Sequence, residues 1–214
     1  MTEKIITVGN MKLTIEQEDS PRSPREDDNF GTIAYKHRDY KLGEEVINDI
    51  CDWLAEKLGL ADMEYKQNNA TRLEYEKKFM DPNISGFVAL PVFLYDHSGI
   101  TISTGSFNDR FDSGQLGYIY VSKEKVIEEY GDFSQESQDK AIALMESEIK
   151  TFDQYVIGDV YSFKEEEIIK CEHCGHIEFE QKDSCGGFYG TDWKTNGITD
   201  HVSECFVAEL EKES

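Results

Sequence analysis

Three features of the chain predict an α+β fold. Runs of β-favouring residues come in pairs split by turn residues, the pattern of hairpins. Other segments carry apolar residues at spacings of three and four, which places them on one face of a helix. Apolar residues make up 38% and aromatics 12% of 214 residues, enough for a buried core despite the charge. Mixed strands and helices with hairpin connections imply an antiparallel or mixed central sheet with flanking helices and a C-terminal cysteine-containing hairpin. Residues 1–158 are expected to form the α+β core, and 159–214 a hairpin-plus-helix segment packed on it as one unit.

The elements follow in order. Ile5, Ile6 and Val8, then Leu13 and Ile15, alternate weakly around the turn pair Gly9-Asn10 and predict two short strands. Residues 17–30 are polar, hold Pro21 and Pro24, and are expected to be a loop in which Arg22 and Arg25 pair locally with Asp27 and Asp28. Residues 32–37 form a strand. Over 43–59, Val46, Ile47, Ile50, Leu54 and Leu58 share one helical face, with Glu44 and Glu45 suited to the N-terminus and Gly59 to the stop. Cys51 lies beside that face and is expected to pack in the core. Residues 61–80 are more polar, with Met63, Leu73 and Phe79 as isolated apolar points, and predict one or two exposed helices ended by Asp81-Pro82-Asn83.

Residues 86–121 hold the longest apolar run. Residues 87–95 and 100–104 are strands joined through Asp96-His97-Ser98-Gly99, where Gly99 is expected to supply the positive φ. Pro91 lacks an N–H, so its strand lies at an edge or carries a bulge. Residues 115–121 are a third strand. Ser122 caps a short helix stopped by Gly131. A long helix spans about 135–157 with the stripe Ala141, Met145, Ile149, Phe152 and Val156. Residues 159–170 and 177–179 form another hairpin through CEHCGH, 184–196 are loop, and 198–210 close as a helix with Ile198, Val202, Phe206 and Leu210 on one face.

Charge bounds the partners. There are 44 acidic and 22 basic residues, a net charge of −22. Like charges repel, so nucleic acid and anionic membranes are poor direct partners, and a protein with a basic surface is a better match. No secretory signal and no apolar run of membrane-spanning length is present, which predicts a cytoplasmic protein. In that reducing setting the five cysteines are thiols or metal ligands rather than disulfides.

Three constellations could carry chemistry. The first is Asp96, His97, Ser98 and Gly99 with Asp109, Asp112, Ser113 and Gln115. A carboxylate can orient an imidazole base, and Asp96, His97 and Asp112 are the candidate catalytic residues of a metal-dependent hydrolase or a nucleotide-binding, signal-sequestering protein. The same residues are also what tight turns require. The second is Cys171-x-x-Cys174-Gly175, half of a zinc knuckle. Structural zinc needs four ligands, and the available completions are Cys185, His173, His176, and the pair His201 and Cys205, four apart on the predicted helix. Free thiols and a redox dithiol are the other readings of this turn. The third is acidic. Residues 122–170 hold thirteen acidic and six basic residues. Glu124, Glu128, Glu129, Asp132, Glu136, Asp139, Glu146 and Glu148 recur at helical spacings as candidate partner-binding residues. Carboxylates on a rigid helix can approximate the charge density of duplex DNA, about one charge per 1.7 Å. A solvated helix face is the plain reading of the same pattern.

Several blocks resemble a family of small proteins carried by phages and other mobile elements. They are Asp28–Gly31, His37–Glu44, Leu90–Thr104, Phe111–Val121, Gly158–Tyr161 and Asp183–Gly190, which include DHSG, DSGQ and DSCGGFYG. The resemblance covers most of the chain in patches and brings no established activity. It implies an accessory protein that counteracts a host defence. Cys171-x-x-Cys174 departs from the family pattern, so a metal there would belong to a subgroup. The leading expectation is a non-enzymatic, acidic, phage-type protein that binds and inhibits a host nucleic-acid-handling or defence protein, in its sharpest form by DNA mimicry.

Overall fold

The computed structural model describes residues 3–60, 69–109 and 111–212. In chain order its elements are β1 (Glu3–Val8), β2 (Met11–Gln17), β3 (Thr32–Tyr35), β4 (Glu45–Val46), α1 (Ile50–Lys57), α2 (Asn69–Phe79), α3 (Pro82–Ser85), β5 (Phe87–Asp96), β6 (Ile100–Ser103), β7 (Ser113–Ser122), α4 (Lys123–Tyr130), α5 (Gln135–Val156), β8 (Val160–Lys170), β9 (Ile177–Tyr189) and α6 (Glu204–Lys212). The fold is α+β as predicted, but its strands form two sheets. The chain divides into two compact units. One, the terminal unit, joins the residues up to 24 with those from 154 onward; the other, the inserted unit, is 25–153. This division differs from the predicted boundary at 158, because β2 pairs with β8 and draws the first hairpin to the C-terminal segment.

The inserted unit holds a mixed sheet in the order β4-β3-β7-β5-β6. Only β3 and β4 are parallel. Its core is aromatic: Trp53 stacks on Tyr118 with ring centroids 5.6 Å apart, and Phe79 meets Trp53 edge-on at 5.1 Å. Pro91 faces Tyr118 of β7, while β6 pairs only from Phe93 to Asp96, so no ladder bond is asked of residue 91 on that side. The register shifts right after it, between Val92 and Phe93, which is the expected bulge. Gly117 is where β7 passes closest to β3; a Cβ there would sit 1.9 Å from the Ala34 carbonyl oxygen. Ser122 caps α4 and Gly131 ends it at φ +90°. Along α5 the stripe Ala141, Met145, Ile149 and Phe152 is buried, and Val156 is half-buried.

Two helix predictions in this unit change. The helix expected over 43–59 is only Ile50–Lys57. Residues 44–47 run extended beside β3, where Glu44 N donates to Ile33 O and Ile47 N to Tyr35 O. Asp49 then starts α1, accepting from Cys51 N and Asp52 N. Val46 is accordingly exposed, while Cys51 is buried and Gly59, at φ +67°, does follow the helix end. Of the segment 61–80, residues 61–68 with Met63 lie outside the described residues. The rest is α2, in which Phe79 and Tyr75 are buried and Leu73 exposed. Asp81 does not merely end it but caps the short α3.

The terminal unit is an antiparallel sheet in the order β1-β2-β8-β9. The predicted turn at Gly9-Asn10 joins β1 to β2. Leu13, Ile15, Tyr161, Phe163 and Phe188 of the sheet pack against Ile198, Val202, Phe206 and Leu210. Residues 184–189, expected to be loop, continue β9 instead. The glycine-rich stretch fits through a register shift between Tyr161 and Phe163 and a positive φ at Gly187. The helix expected over 198–210 is two pieces, a 3-10 turn at Ile198–Asp200 and then α6. Glu165 of β8 explains the break: its carboxylate accepts from Ser203 N and Ser203 Oγ, both at 2.6 Å, and fixes Ser203 ahead of the helix.

Candidate functional site

In the inserted unit the β5–β6 turn meets the loop before β7. His97 Nδ1 lies 2.9 Å from Asp112 Oδ2, and Asp96 N donates to Asp112 O at 2.8 Å. Of the three candidate catalytic residues, the structure thus joins His97 and Asp112 by their side chains and Asp96 by its backbone. The positive φ of the turn belongs to Ser98 (+57°), not to Gly99. Asp109 is bound locally: its carboxylate accepts from Phe111 N and Asp112 N, and these two bonds hold it below the usual carboxylate range. Ser113 Oγ donates to Asp109 O. Gln115 accepts from Arg72 at 3.2 Å. Asp96, Asp112, Ser113 and Gln115 line a groove of about 410 Å³ with Lys36, His37 and the exposed Phe111. His37 Nδ1 accepts from Asp39 N and Tyr40 N, both at 3.1 Å. The groove collects polar groups of both charges. The His97–Asp112 pair, of which only Asp112 lines the groove, is open to water, with His97 65% and Asp112 38% exposed.

The eight acidic candidates divide. Glu124, Glu128, Glu129, Asp132, Glu136, Asp139 and Glu146 are exposed on α4, α5 and the turn between them. Glu148 is not a surface group. Its side chain is 13% exposed and binds Arg25 Nη1 at 3.1 Å, Phe30 N at 2.6 Å and Gly31 N at 3.0 Å. Arg25 is itself only 7% exposed and also meets Glu44 at 2.6 Å. The role expected for Arg25, local pairing on a solvated loop, therefore gives way to an inward one that ties residues 25–31 to α5. Asp132 accepts from Ser137 Oγ, Ser134 N and Ser134 Oγ ahead of α5, and these bonds pull its pKa down to about 2. Glu136 pairs with Lys140, and Asp139 accepts from Gln135. Glu128, Glu129 and Glu146 have no hydrogen bond or ion pair among the described residues.

In the terminal unit the cysteine candidates fall at two places. Cys171, Cys174 and His176 lie at the β8–β9 turn. Cys171 N donates to His176 O and Gly175 N to Cys171 O, both at 2.8 Å, with Gly175 at φ +72°. Hydrogen bonding from the backbone of Cys174 and His173, and from the Cys174 side chain, pulls the Cys171 thiol below its usual pKa. Cys185 pairs opposite Phe163, whereas Lys170 pairs with Ile177 at the turn. The seven residue steps from Phe163 to Lys170 span about 23 Å at ~3.3 Å each. His201 packs edge-on against Phe188, also away from the turn. His201 and Cys205 do not share a helix: His201 closes the 3-10 turn and Cys205 opens α6. Among the described residues no group of three His, Cys, Asp or Glu side chains is placed to hold a metal ion.

Sequence reasoning missed two features of this unit. Glu165 and Glu166 are buried carboxylates, the first held by Ser203, the second by Lys164 at 2.5 Å and Lys12 at 3.5 Å. A groove of about 660 Å³ is lined by Glu16, Glu18, Asp19, Lys164, Gln181 and Cys185. Only the pairing of β2, β8 and β9 brings those segments together, so no local signal could have found it.

No protein-family model, curated protein or solved structure matches the chain. No helix among the described residues is long and apolar enough to cross a membrane.

Proposed function

We propose that the protein acts by binding a partner with a basic surface through the carboxylates of α4 and α5, and not by turning over a substrate. The observation that supports this most is the exposure of seven carboxylates on two consecutive helices and the turn between them, three of them without an internal partner among the described residues. The helices are anchored by a buried stripe that includes Val126 and Met145, so their charges are presented on a fixed frame. The net charge of −22 favours basic partners over the whole surface. The sharper form of the reading is mimicry of duplex DNA by a mobile-element protein that inhibits a host nucleic-acid-handling or defence protein in the bacterial cytoplasm. It draws on the resemblance of the DHSG, DSGQ and DSCGGFYG blocks.

The test replaces Glu124, Glu128, Glu129 and Glu146 together by Gln and leaves Glu148 in place. Binding to a basic partner should weaken steeply with added salt in the parent chain, and both affinity and salt dependence should fall in the variant. Undiminished binding by the variant would sink the reading. A second reading is favoured by the His97–Asp112 contact at 2.9 Å beside the 410 Å³ groove: a hydrolase or nucleotide-binding protein using the loops of 96–115. It requires that His97→Ala abolish turnover or small-molecule binding while the helices' carboxylate variant keeps it.

A further inference from the structure

The β8–β9 turn carries two cysteines, Cys171 and Cys174, on one tight bend. Its backbone is closed as in a zinc knuckle: Cys171 N donates to His176 O and Gly175 N to Cys171 O, both at 2.8 Å. Cys171 and Cys174 on such a turn can supply two corners of a tetrahedron, and structural zinc needs four. Among the described residues no third ligand is placed with the pair, and Cys185 is about 23 Å along the hairpin.

The turn is also free to meet another molecule. All residues from 171 to 187 are exposed. The hairpin outruns its neighbour: the β1–β2 turn ends beside Ile168, where Ile168 N donates to Asn10 O, so residues 169–178 project past it. Ile169 and Ile177 are 41% and 49% exposed on that projection. β9 is the outer strand of its sheet and leaves one row of backbone groups unpaired.

We propose that two copies of this chain are joined by one zinc ion held by Cys171 and Cys174 of each. A two-fold axis through the metal lets one identical pair complete the other, which is the simplest closed arrangement for a half-site. Each thiol gives its proton to solvent as its sulfur binds, so one zinc ion releases up to four protons and no oxidant is needed. The metal has work to do: two chains each of charge −22 repel, and the dimer depends on the ion.

The experiment titrates the full reduced chain, freed of metal, with zinc alone while light scattering reads the mass. Cobalt(II) in its place reports the ligands through its thiolate charge-transfer and tetrahedral bands. The expected result is one metal per two chains, a mass rising from 24.6 kDa to twice that value, a four-thiolate cobalt spectrum, and full reversal by EDTA. Cys171→Ser and Cys174→Ser should each lose the doubling, while Cys185→Ser and Cys205→Ser keep it. One metal per chain without doubling, no metal bound, or a dimer that survives EDTA would each overturn the proposal. The EDTA arm uses the unaltered chain, so it decides the matter even where a variant fails to fold.

Discussion

Two hairpins of this protein turn through residues that could carry chemistry, and they are built differently. The β5–β6 turn is knitted to a second loop by His97 and Asp112, and behind it Ile102 is 3% exposed. The β8–β9 turn folds on itself: Cys171 N donates to His176 O and Gly175 N to Cys171 O, and no residue from 171 to 187 is buried. In the first, polar side chains join one loop to another. In the second, backbone bonds close the turn, and among the described residues no further ligand joins its two cysteines. Turn composition alone does not separate these cases, since Asp, Ser, His and Gly serve both. What separates them is whether a distant segment arrives to take up the side chains.

The largest expected effect tests whether the inserted unit is as rigid behind its hairpin as this contrast implies. Gly117→Ala would drive a Cβ to 1.9 Å from the Ala34 carbonyl oxygen and 2.9 Å from Tyr35 Cα, both backbone. β3 and β7 must part, so the variant should lose about 3 kcal/mol or more. Gly186→Ala in the other hairpin would meet Glu18 Oε1 at 2.5 Å, the end of a flexible side chain that can swing aside. It should cost about 1 kcal/mol, chiefly the bond from Gly187 N to Glu18. Urea unfolding followed by fluorescence measures both. Trp53 reports the inserted unit and Trp193 the terminal unit, and Trp193→Phe isolates the former signal. Equal losses would break the comparison.

Next in size are the carboxylates. Glu148→Ala removes three hydrogen bonds and leaves Phe30 N and Gly31 N without their acceptor, so a loss of about 2–3 kcal/mol is expected. Glu128→Ala and Glu129→Ala remove no internal bond and should stay within about 0.5 kcal/mol. The same urea curves decide it. A destabilisation by Glu129→Ala as large as that by Glu148→Ala would erase the distinction between frame and surface on these helices.

That distinction was not legible in the sequence. Ser122, Gly131 and the stripe from Ala141 to Phe152 announce α4 and α5 through local rules, and the structure follows them. Glu148 sits at the same helical spacing as Glu146, and nothing local says that Arg25, more than a hundred residues away, will claim one and not the other. The failed helix start has the same cause. Val46 and Ile47 fit a helical face, but the open edge of β3 offered the backbone of 44–47 hydrogen bonds that Asp49 then made permanent by capping α1. The His97–Asp112 pairing likewise needed the register of β5 on β7. The tight turn from Cys171 to His176 was legible because its backbone bonds are made entirely by neighbours in sequence.

A smaller effect separates the two readings of the loops. His97→Ala or Asp112→Asn breaks an exposed pair and should shift stability by less than about 1 kcal/mol. Far-UV circular dichroism and the urea midpoint should hardly move, which makes these variants clean probes of the groove. If either unfolds the unit, the contact is structural and the groove reading loses its main support.

The smallest effect is one of pH. Asp132, fully exposed, is held to a pKa of about 2 by Ser137 Oγ, Ser134 N and Ser134 Oγ. An unfolded aspartate titrates near ~3.9. The folded value is the lower one, so the unfolded chain takes up the proton first as pH falls. The cap's stabilisation is therefore complete above about pH 4 and is lost as pH drops through about 2. Asp132→Asn keeps an acceptor for the serine donors but cannot titrate. The difference in urea midpoint between parent and variant should be constant from pH 7 to about pH 5 and shrink below about pH 4. A difference that stays constant to the lowest pH would mean that the bonds around Asp132 do not depend on its charge, and that its place before α5 is set by the backbone alone.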